Sequence, residues 1–170
     1  MKYTTYRLIC RIYFTVLFFF SCRQTPNDAV SLQPEIDSLK LRLMKIYTPG
    51  MGEIMTTIQL HHAKLWFAGI HQNWPLAKFE LGDIESGFAK LQQFHGEQPE
   101  AKIAPMIMLP LDSVNAAIEM KNQAGFRKSF MFLTNTCNSC HQAVKRPYNV
   151  IIIPKDPPVT NQKFEVQRSN

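Results

Sequence analysis

Cys137-Asn138-Ser139-Cys140-His141 is the stretch of this sequence that indicates most about its fold and chemistry. The C-x-x-C-H pattern is the attachment signal of a c-type haem. In such a site two thiols three residues apart form thioethers with one porphyrin, and the next residue supplies an imidazole that ligates the iron. The sequence therefore predicts one covalent haem c, held by Cys137 and Cys140, with His141 as the proximal iron ligand.

The C-x-x-C spacing also occurs in zinc sites and in thiol redox centres, so the other cysteines matter. A structural zinc site commonly takes four ligands from two paired clusters, and Cys10 and Cys22 form no second pair. A thioredoxin-like motif is expected early in a βαβ pattern, whereas this motif follows a segment of helical period near the C-terminus. A disulfide would close a very small loop and stabilise little. Haem attachment is favoured, and a haem-free zinc or disulfide protein is the alternative.

The N-terminus is typical of an export signal. Residues 1–11 are basic without an acidic residue, and residues 12–20 form a mainly apolar run that is short for a membrane span. The run ends at Ser21-Cys22, which resembles a bacterial lipobox, where the cysteine becomes the lipidated first residue of the mature protein. We expect a signal peptide at 1–21 and a periplasmic protein that meets the membrane only through a lipid anchor on Cys22. Cleavage nearby without lipidation is the alternative, and either route agrees with haem attachment after export.

The charge of the chain argues against nucleic acid as a partner. The 19 basic residues include Lys2, Arg7 and Arg11 of the signal, so 16 remain against 13 acidic residues and the mature net charge is +3. This mild excess could favour an acidic partner surface, but it forms no nucleic-acid footprint. The mature length suits one domain.

Apolar spacing predicts helices through most of the mature chain. The polar stretch 22–34 is typical of a tether, and the segment 100–110 is ambiguous because two prolines interrupt it. After Pro147 the sequence is first β-like and apolar, then polar, so 149–170 is predicted to be an extended tail. The predicted helices are a short one at 35–46 and four others at about 51–72, 75–94, 111–123 and 126–146.

The last predicted helix carries the haem motif on its apolar face. Phe126, Phe130, Leu133, Cys137 and Cys140 are spaced four, three, four and three residues apart. This is the spacing of neighbours on one helical face. The two cysteines therefore continue the stripe that faces the core.

Four helices with C-x-x-C-H on the last one resemble the cytochrome c′ family, the class II c-type cytochromes. The resemblance covers about residues 49–146, and Lys145 stands where the family often has a basic residue. It implies an all-α, antiparallel four-helix bundle over 35–148 with one haem, a redox partner protein and, in many members, a homodimer. The chain departs from the family in its extra short N-terminal helix and its extended C-terminal tail.

Family members differ in the sixth iron ligand, and bundle geometry narrows the choice here. The first and fourth bundle helices run antiparallel, and His141 lies about six residues before Pro147. It should face a level about six residues beyond Pro49, or about 9 Å at about 1.5 Å per residue. That level falls at Met55.

Other residues of the same helix are alternatives to Met55. Met51, one turn below, is the second choice. His61 and His62 lie about 9 to 10 Å above Met55 along the helix and would need a slip in register. An open site without a sixth ligand is the remaining alternative.

These alternatives correspond to two classes of function. A His–Met haem would carry single electrons, because the methionine fills the open position and raises the potential. A five-coordinate haem would instead bind a small gas such as nitric oxide. The sequence contains no acid–base pair, nucleophile triad or phosphate loop that would indicate an enzyme.

Overall fold

Helices account for all the regular secondary structure of residues 27–167, the part of the chain that the computed structural model describes apart from the side chains of 27–31 and 45. This agrees with the predicted all-α class. The predicted signal peptide and Cys22 lie outside these residues. The elements are α1 (Asn27–Ile46), α2 (Met51–Ile70), α3 (Trp74–His95), α4 (Pro99–Ile103), a 3₁₀ turn (Ala104–Ile107), α5 (Met108–Glu119) and α6 (Gln123–Ala143).

The chain divides into two compact units, one that ends at Tyr47 and one that begins at Thr48. In the first unit, α1 begins at Asn27, eight residues before the predicted start, and continues through Pro34. Residues 27–34 of the predicted tether are therefore helical. No helix within residues 27–167 is long and apolar enough to cross a membrane.

The second unit begins at Thr48, and its first two helices have the bounds that the sequence predicted to within two residues. Gly50 precedes α2, and its carbonyl accepts a hydrogen bond from the Ile54 N–H at 3.1 Å. Asn73 caps α3 with its side chain, and Pro75 stands in the first turn, where the missing N–H has no helical partner to lose. Local signals of this kind fix both helix ends.

The next helices begin three residues earlier than predicted. The ambiguous segment 100–110 holds α4, the 3₁₀ turn and the start of α5, because Pro105 and Pro110 each lie in a first turn, where proline is tolerated. α6 begins at Gln123 because Asn122 caps it by accepting a hydrogen bond from the Gly125 N–H at 3.0 Å.

The helix that carries the haem motif is continuous but ends sooner than predicted. The stretch around Thr134 and Thr136 stays helical, and each hydroxyl donates to the carbonyl one turn back at 2.9 Å. α6 then ends at Ala143 rather than near Pro147, because Lys145 adopts a left-handed conformation with φ of 60°. The Arg146 N–H donates to the His141 carbonyl at 2.7 Å and closes the helix end.

The core of the second unit lies between α2, α3, α5 and α6. α2 packs on α3 and α6, while α5 packs on α6 and α3. Trp66 stacks near Phe126 with ring centroids 6.3 Å apart, and Trp74 meets the same ring edge-on at 6.2 Å. The largest side chains that are fully buried are Phe126, Phe130, Leu65, Leu81, Ile84, Leu91, Leu111 and Leu133.

The C-terminal tail has no regular secondary structure between residues 150 and 167, and its Ile153 and Val159 pack against the core. The β-like segment 148–154 forms no strand among the described residues. Its Ile151 backbone is instead bound by the Asn138 side chain. Phe164 is 3% exposed and packs on Phe67 with ring centroids 5.6 Å apart. The tail thus contributes to the core rather than only covering it.

Gly69 provides a stability test of this core. A Cβ added at Gly69 would overlap the ring of Phe126, which is fully buried, whereas a Cβ added at Gly82 on α3 meets nothing within 4 Å. We expect Gly69→Ala to lower the free energy of unfolding by about 1–3 kcal/mol through overpacking. The control Gly82→Ala should raise it by about 0.5–1 kcal/mol, since alanine favours the helix. Urea unfolding measures both, and equal effects of the two substitutions would show that Phe126 does not pack on Gly69.

Candidate functional site

A cavity of about 430 Å³ opens between α2 and the C-terminal end of α6. Its size falls within the range of small-molecule and cofactor sites, about 300–1,000 Å³. α6 contributes the motif residues Cys137, Cys140 and His141, and α2 contributes Met51 and Met55. The cavity therefore brings together all the site residues that the sequence predicted within the described part of the chain.

The two cysteines are half-buried thiols that lie one turn apart on α6. Burial raises the pKa of the Cys137 thiol to about 12, and the neighbouring Cys140 adds to the effect. Burial, together with the Glu100 carboxylate, also raises the pKa of Cys140. Both groups are consequently protonated at neutral pH. Thiol exchange depends on the thiolate, so these surroundings do not suit a redox-active dithiol.

His141 is held by the tail in the form that a metal ligand requires. Its Nδ1–H donates to the Asn149 carbonyl, with 2.6 Å between nitrogen and oxygen. A carbonyl can only accept, so the neutral ring carries its proton on Nδ1 and its lone pair on Nε2. Metal-ligating histidines commonly use such a hydrogen bond to fix the ring and its tautomer.

Asn138 connects the motif helix to the same tail. Its side-chain amide donates to the Ile151 carbonyl and its side-chain oxygen accepts from the Ile151 N–H, both at 2.8 Å. Ile151 lies two residues from Asn149, so this pair of bonds fixes the carbonyl that orients His141. The sequence assigned no role to Asn138, because its partner lies in a segment without a predicted fold.

The opposite wall of the cavity is one face of α2. Met51, Met55, Ile58 and His62 are spaced four, three and four residues apart, and all line the cavity. His62 therefore lines the same cavity as Met55. The sequence predicts a position too far from the haem iron, because His62 is about two turns from Met55 along the helix. His61 is not among the lining residues.

His62 is buried and already has a hydrogen-bond partner. Its Nε2–H donates to the Thr134 hydroxyl oxygen at 2.9 Å, and that hydroxyl donates in turn to the Phe130 carbonyl. Burial lowers the pKa of His62 to about 4, so its ring is neutral at neutral pH. His62 is thus a satisfied histidine on the cavity wall.

The sequence did not predict the residues that form the remaining walls of the cavity. Met106 of the 3₁₀ turn lines the cavity and offers a third thioether, while Phe88 and Ile107 provide apolar surface. At the rim, Arg146 donates to Glu100 Oε1 from Nη2 at 2.7 Å and from Nε at 3.0 Å. Glu100 comes from the segment whose structure the sequence left ambiguous, which is why this ion pair could not be foreseen.

Asn138→Ala tests whether the motif helix holds the tail. Two hydrogen bonds are lost, and at about 1 kcal/mol net for each the tail near Ile151 should open more easily by about 2 kcal/mol. Hydrogen exchange of the Ile151 amide measures this as roughly 30-fold faster exchange. Ser139→Ala is the control, because the Ser139 hydroxyl donates only within α6, to the Asn135 carbonyl. Equal exchange rates of the Ile151 amide in the wild type and in Asn138→Ala would show that Asn138 does not hold the tail.

Comparison of the chain with protein-family models, with curated proteins and with solved structures finds no match. The groups that the cavity offers to a ligand are those of its lining residues. These are two protonated thiols one turn apart, an imidazole with its Nε2 lone pair free, and thioethers on the facing helix.

Proposed function

We propose that this protein is an exported c-type cytochrome that carries one covalent haem and transfers single electrons. The observation that supports this best is the meeting of Cys137, Cys140 and His141 with Met55 across one cavity of about 430 Å³. The proposal includes the lipid anchor on Cys22, which lies outside the described residues, and a redox partner protein in the periplasm.

The proposal extends to the architecture of the haem-binding unit. We take α2, α3, α5 and α6 to form an antiparallel four-helix bundle of the cytochrome c′ kind. In support of this, α2 packs on α3 and α6, and α5 packs on α6 and α3, so that each helix has two neighbours. Short connections between α2 and α3 and between α5 and α6 suit antiparallel pairs.

The residues of α6 suit covalent attachment of the haem. Burial raises the pKa values of Cys137 and Cys140, so both thiols carry their protons at neutral pH. Each would add its S–H across one vinyl group, the sulfur bonding to one carbon and the hydrogen to the other. His141 would bind the iron through Nε2, since Nδ1–H is held by the Asn149 carbonyl.

Met55 is the best candidate for the sixth ligand. Ligation through Nε2 of His62 would break its hydrogen bond to Thr134, whereas a thioether carries no proton and gives up no hydrogen bond. Met106 is 39% exposed, and Met51 is the first residue of α2, where helix ends fray. When bound, the haem supplies one-electron chemistry, and a methionine ligand raises its potential.

Other residues of the cavity would serve the bound group by excluding water and balancing charge. Ile58, Phe88 and Ile107 present apolar side chains to the cavity. Arg146 at the rim already pairs with Glu100, and its guanidinium is half exposed, so it can also bind carboxylates of the cofactor edge.

Cysteine variants test covalent attachment. The full chain, exported through a c-type maturation system, should gain the mass of one haem that survives denaturation. Cys137→Ser and Cys140→Ser should each retain one thioether at most, and the double variant should carry no covalent haem. Ser139→Ala, between the two cysteines, is the matched control and should be fully loaded. A wild-type protein exported by a competent strain without covalent haem would refute the proposal.

Methionine variants test the ligand and the function together. The wild-type ferric protein should be low-spin with a sulfur-to-iron absorption band towards the red. Met55→Leu should lose that band, become high-spin and bind carbon monoxide, while Met51→Leu and Met106→Leu should keep the wild-type spectrum. Loss of the band in Met106→Leu instead would move the ligand to the 3₁₀ turn. A high-spin wild type that binds carbon monoxide readily would favour gas binding over electron transfer.

A further inference from the structure

A second group of ligand-type side chains lies between α2 and α3. It consists of His61 on α2 with Glu80 and Asp83 on α3, and the three ligand atoms lie within 4.8 Å of one another. His61 Nδ1 is 2.6 Å from Glu80 Oε2 and 3.3 Å from Asp83 Oδ2. None of the three residues lines the cavity at the end of α6.

An ion pair between His61 and Glu80 does not account for the whole group. The Glu80 side chain is fully buried, and its second oxygen, Oε1, has no hydrogen-bond partner among the described residues. A single Nδ1–H can satisfy one carboxylate oxygen, yet two carboxylates converge on it. Buried carboxylates are normally paired with a cation or coordinate a metal. A cation bound to the Glu80 carboxylate would balance the charge of this buried group.

We propose that His61, Glu80 and Asp83 bind a zinc ion. Imidazole nitrogen with carboxylate oxygen suits Zn²⁺, whereas Mg²⁺ and Ca²⁺ prefer oxygen ligands alone. With bonds of about 2.0 Å, neighbouring ligand atoms of a tetrahedral zinc lie roughly 3.3 Å apart. The distance of 3.3 Å between His61 and Asp83 already matches this, and the Glu80 contact has to open by roughly 0.7 Å.

Zinc would replace the proton on His61 Nδ1, and the ring would bind as a neutral imidazole with its one proton on Nε2. The three protein ligands leave a fourth position for water, as in zinc sites with an open position. Asp83 is 36% exposed and gives the ion a path from solvent, while Glu80 at the bottom of the group is closed. The site is separate from the proposed haem and does not depend on it.

Metal analysis after equilibrium dialysis against zinc chloride tests the site in the purified full-length protein. The wild type should retain one zinc per chain, and zinc should raise its melting temperature. Asp83→Asn should weaken zinc binding at least about tenfold, since even loss of an outer partner costs that much. Glu85→Gln, which removes an exposed carboxylate of the same helix, is the control and should bind as the wild type does.

A second variant and prior alkylation of the cysteines distinguish zinc at this site from zinc bound by the thiols. Glu80→Gln should also lose zinc binding, because only His61 and Asp83 would remain as ligands. If the protein carries no haem, Cys137 and Cys140 are alkylated first, so failure of the haem proposal does not alter the zinc result. Zinc content that is unchanged in both Asp83→Asn and Glu80→Gln, or that disappears on alkylation alone, would overturn the proposed site.

Discussion

The hydrogen bond from His141 Nδ1–H to the Asn149 carbonyl is the interaction on which the proposed site depends. It fixes which nitrogen is free to bind iron, and it requires the chain to reverse within a few residues of the motif. The early end of α6 makes that reversal possible, because Lys145 in a left-handed conformation turns the backbone away from the helix axis. Asn138, one turn before His141, then holds the returning segment of the chain through the backbone of Ile151. The C-terminal tail, which the sequence predicted only to be extended, therefore orients His141.

The cavity lies at one end of a core that is closely packed around Phe126. Around Phe126 the rings of Trp66, Trp74 and Phe130 leave so little space that Gly69 cannot carry a Cβ without displacement. Towards the end of α6 that carries the motif, α2 contributes half-buried methionines and α6 contributes half-buried cysteines, and neither of these two described helices contributes a Phe, Tyr or Trp ring to the cavity. Methionine side chains are flexible and can adapt to a group that enters between the helices. The apolar cavity between α2 and α6 is therefore lined on both sides by side chains that suit a ligand.

Sequence reasoning succeeded where the determinant was local. Pro49-Gly50 and Asn73-Trp74-Pro75 bound α2, and the face shared by Met51 and Met55 follows from helical period alone. It failed at the end of α6, because Pro147 suggested a stop while the actual break is at Lys145, a residue with no preference for positive φ. Contacts such as Arg146 with Glu100 were out of reach, since they depend on tertiary packing of a segment with ambiguous period.

Two adjacent histidines on α2 have opposite surroundings because successive helical residues point about 100° apart. His62 faces the cavity, is neutral and is bound by the hydroxyl of Thr134, whereas His61 faces two carboxylates of α3. The α2 backbone therefore separates the proposed zinc from the proposed haem. Zinc would link α2 to α3 through Glu80 and Asp83 and would add to the stability of that pair. It would contact neither Met55 nor His141, so the two metals should bind independently. Any effect of zinc on the haem spectrum would have to travel through α2, which carries Met55, or through α3, which carries Phe88 of the cavity wall.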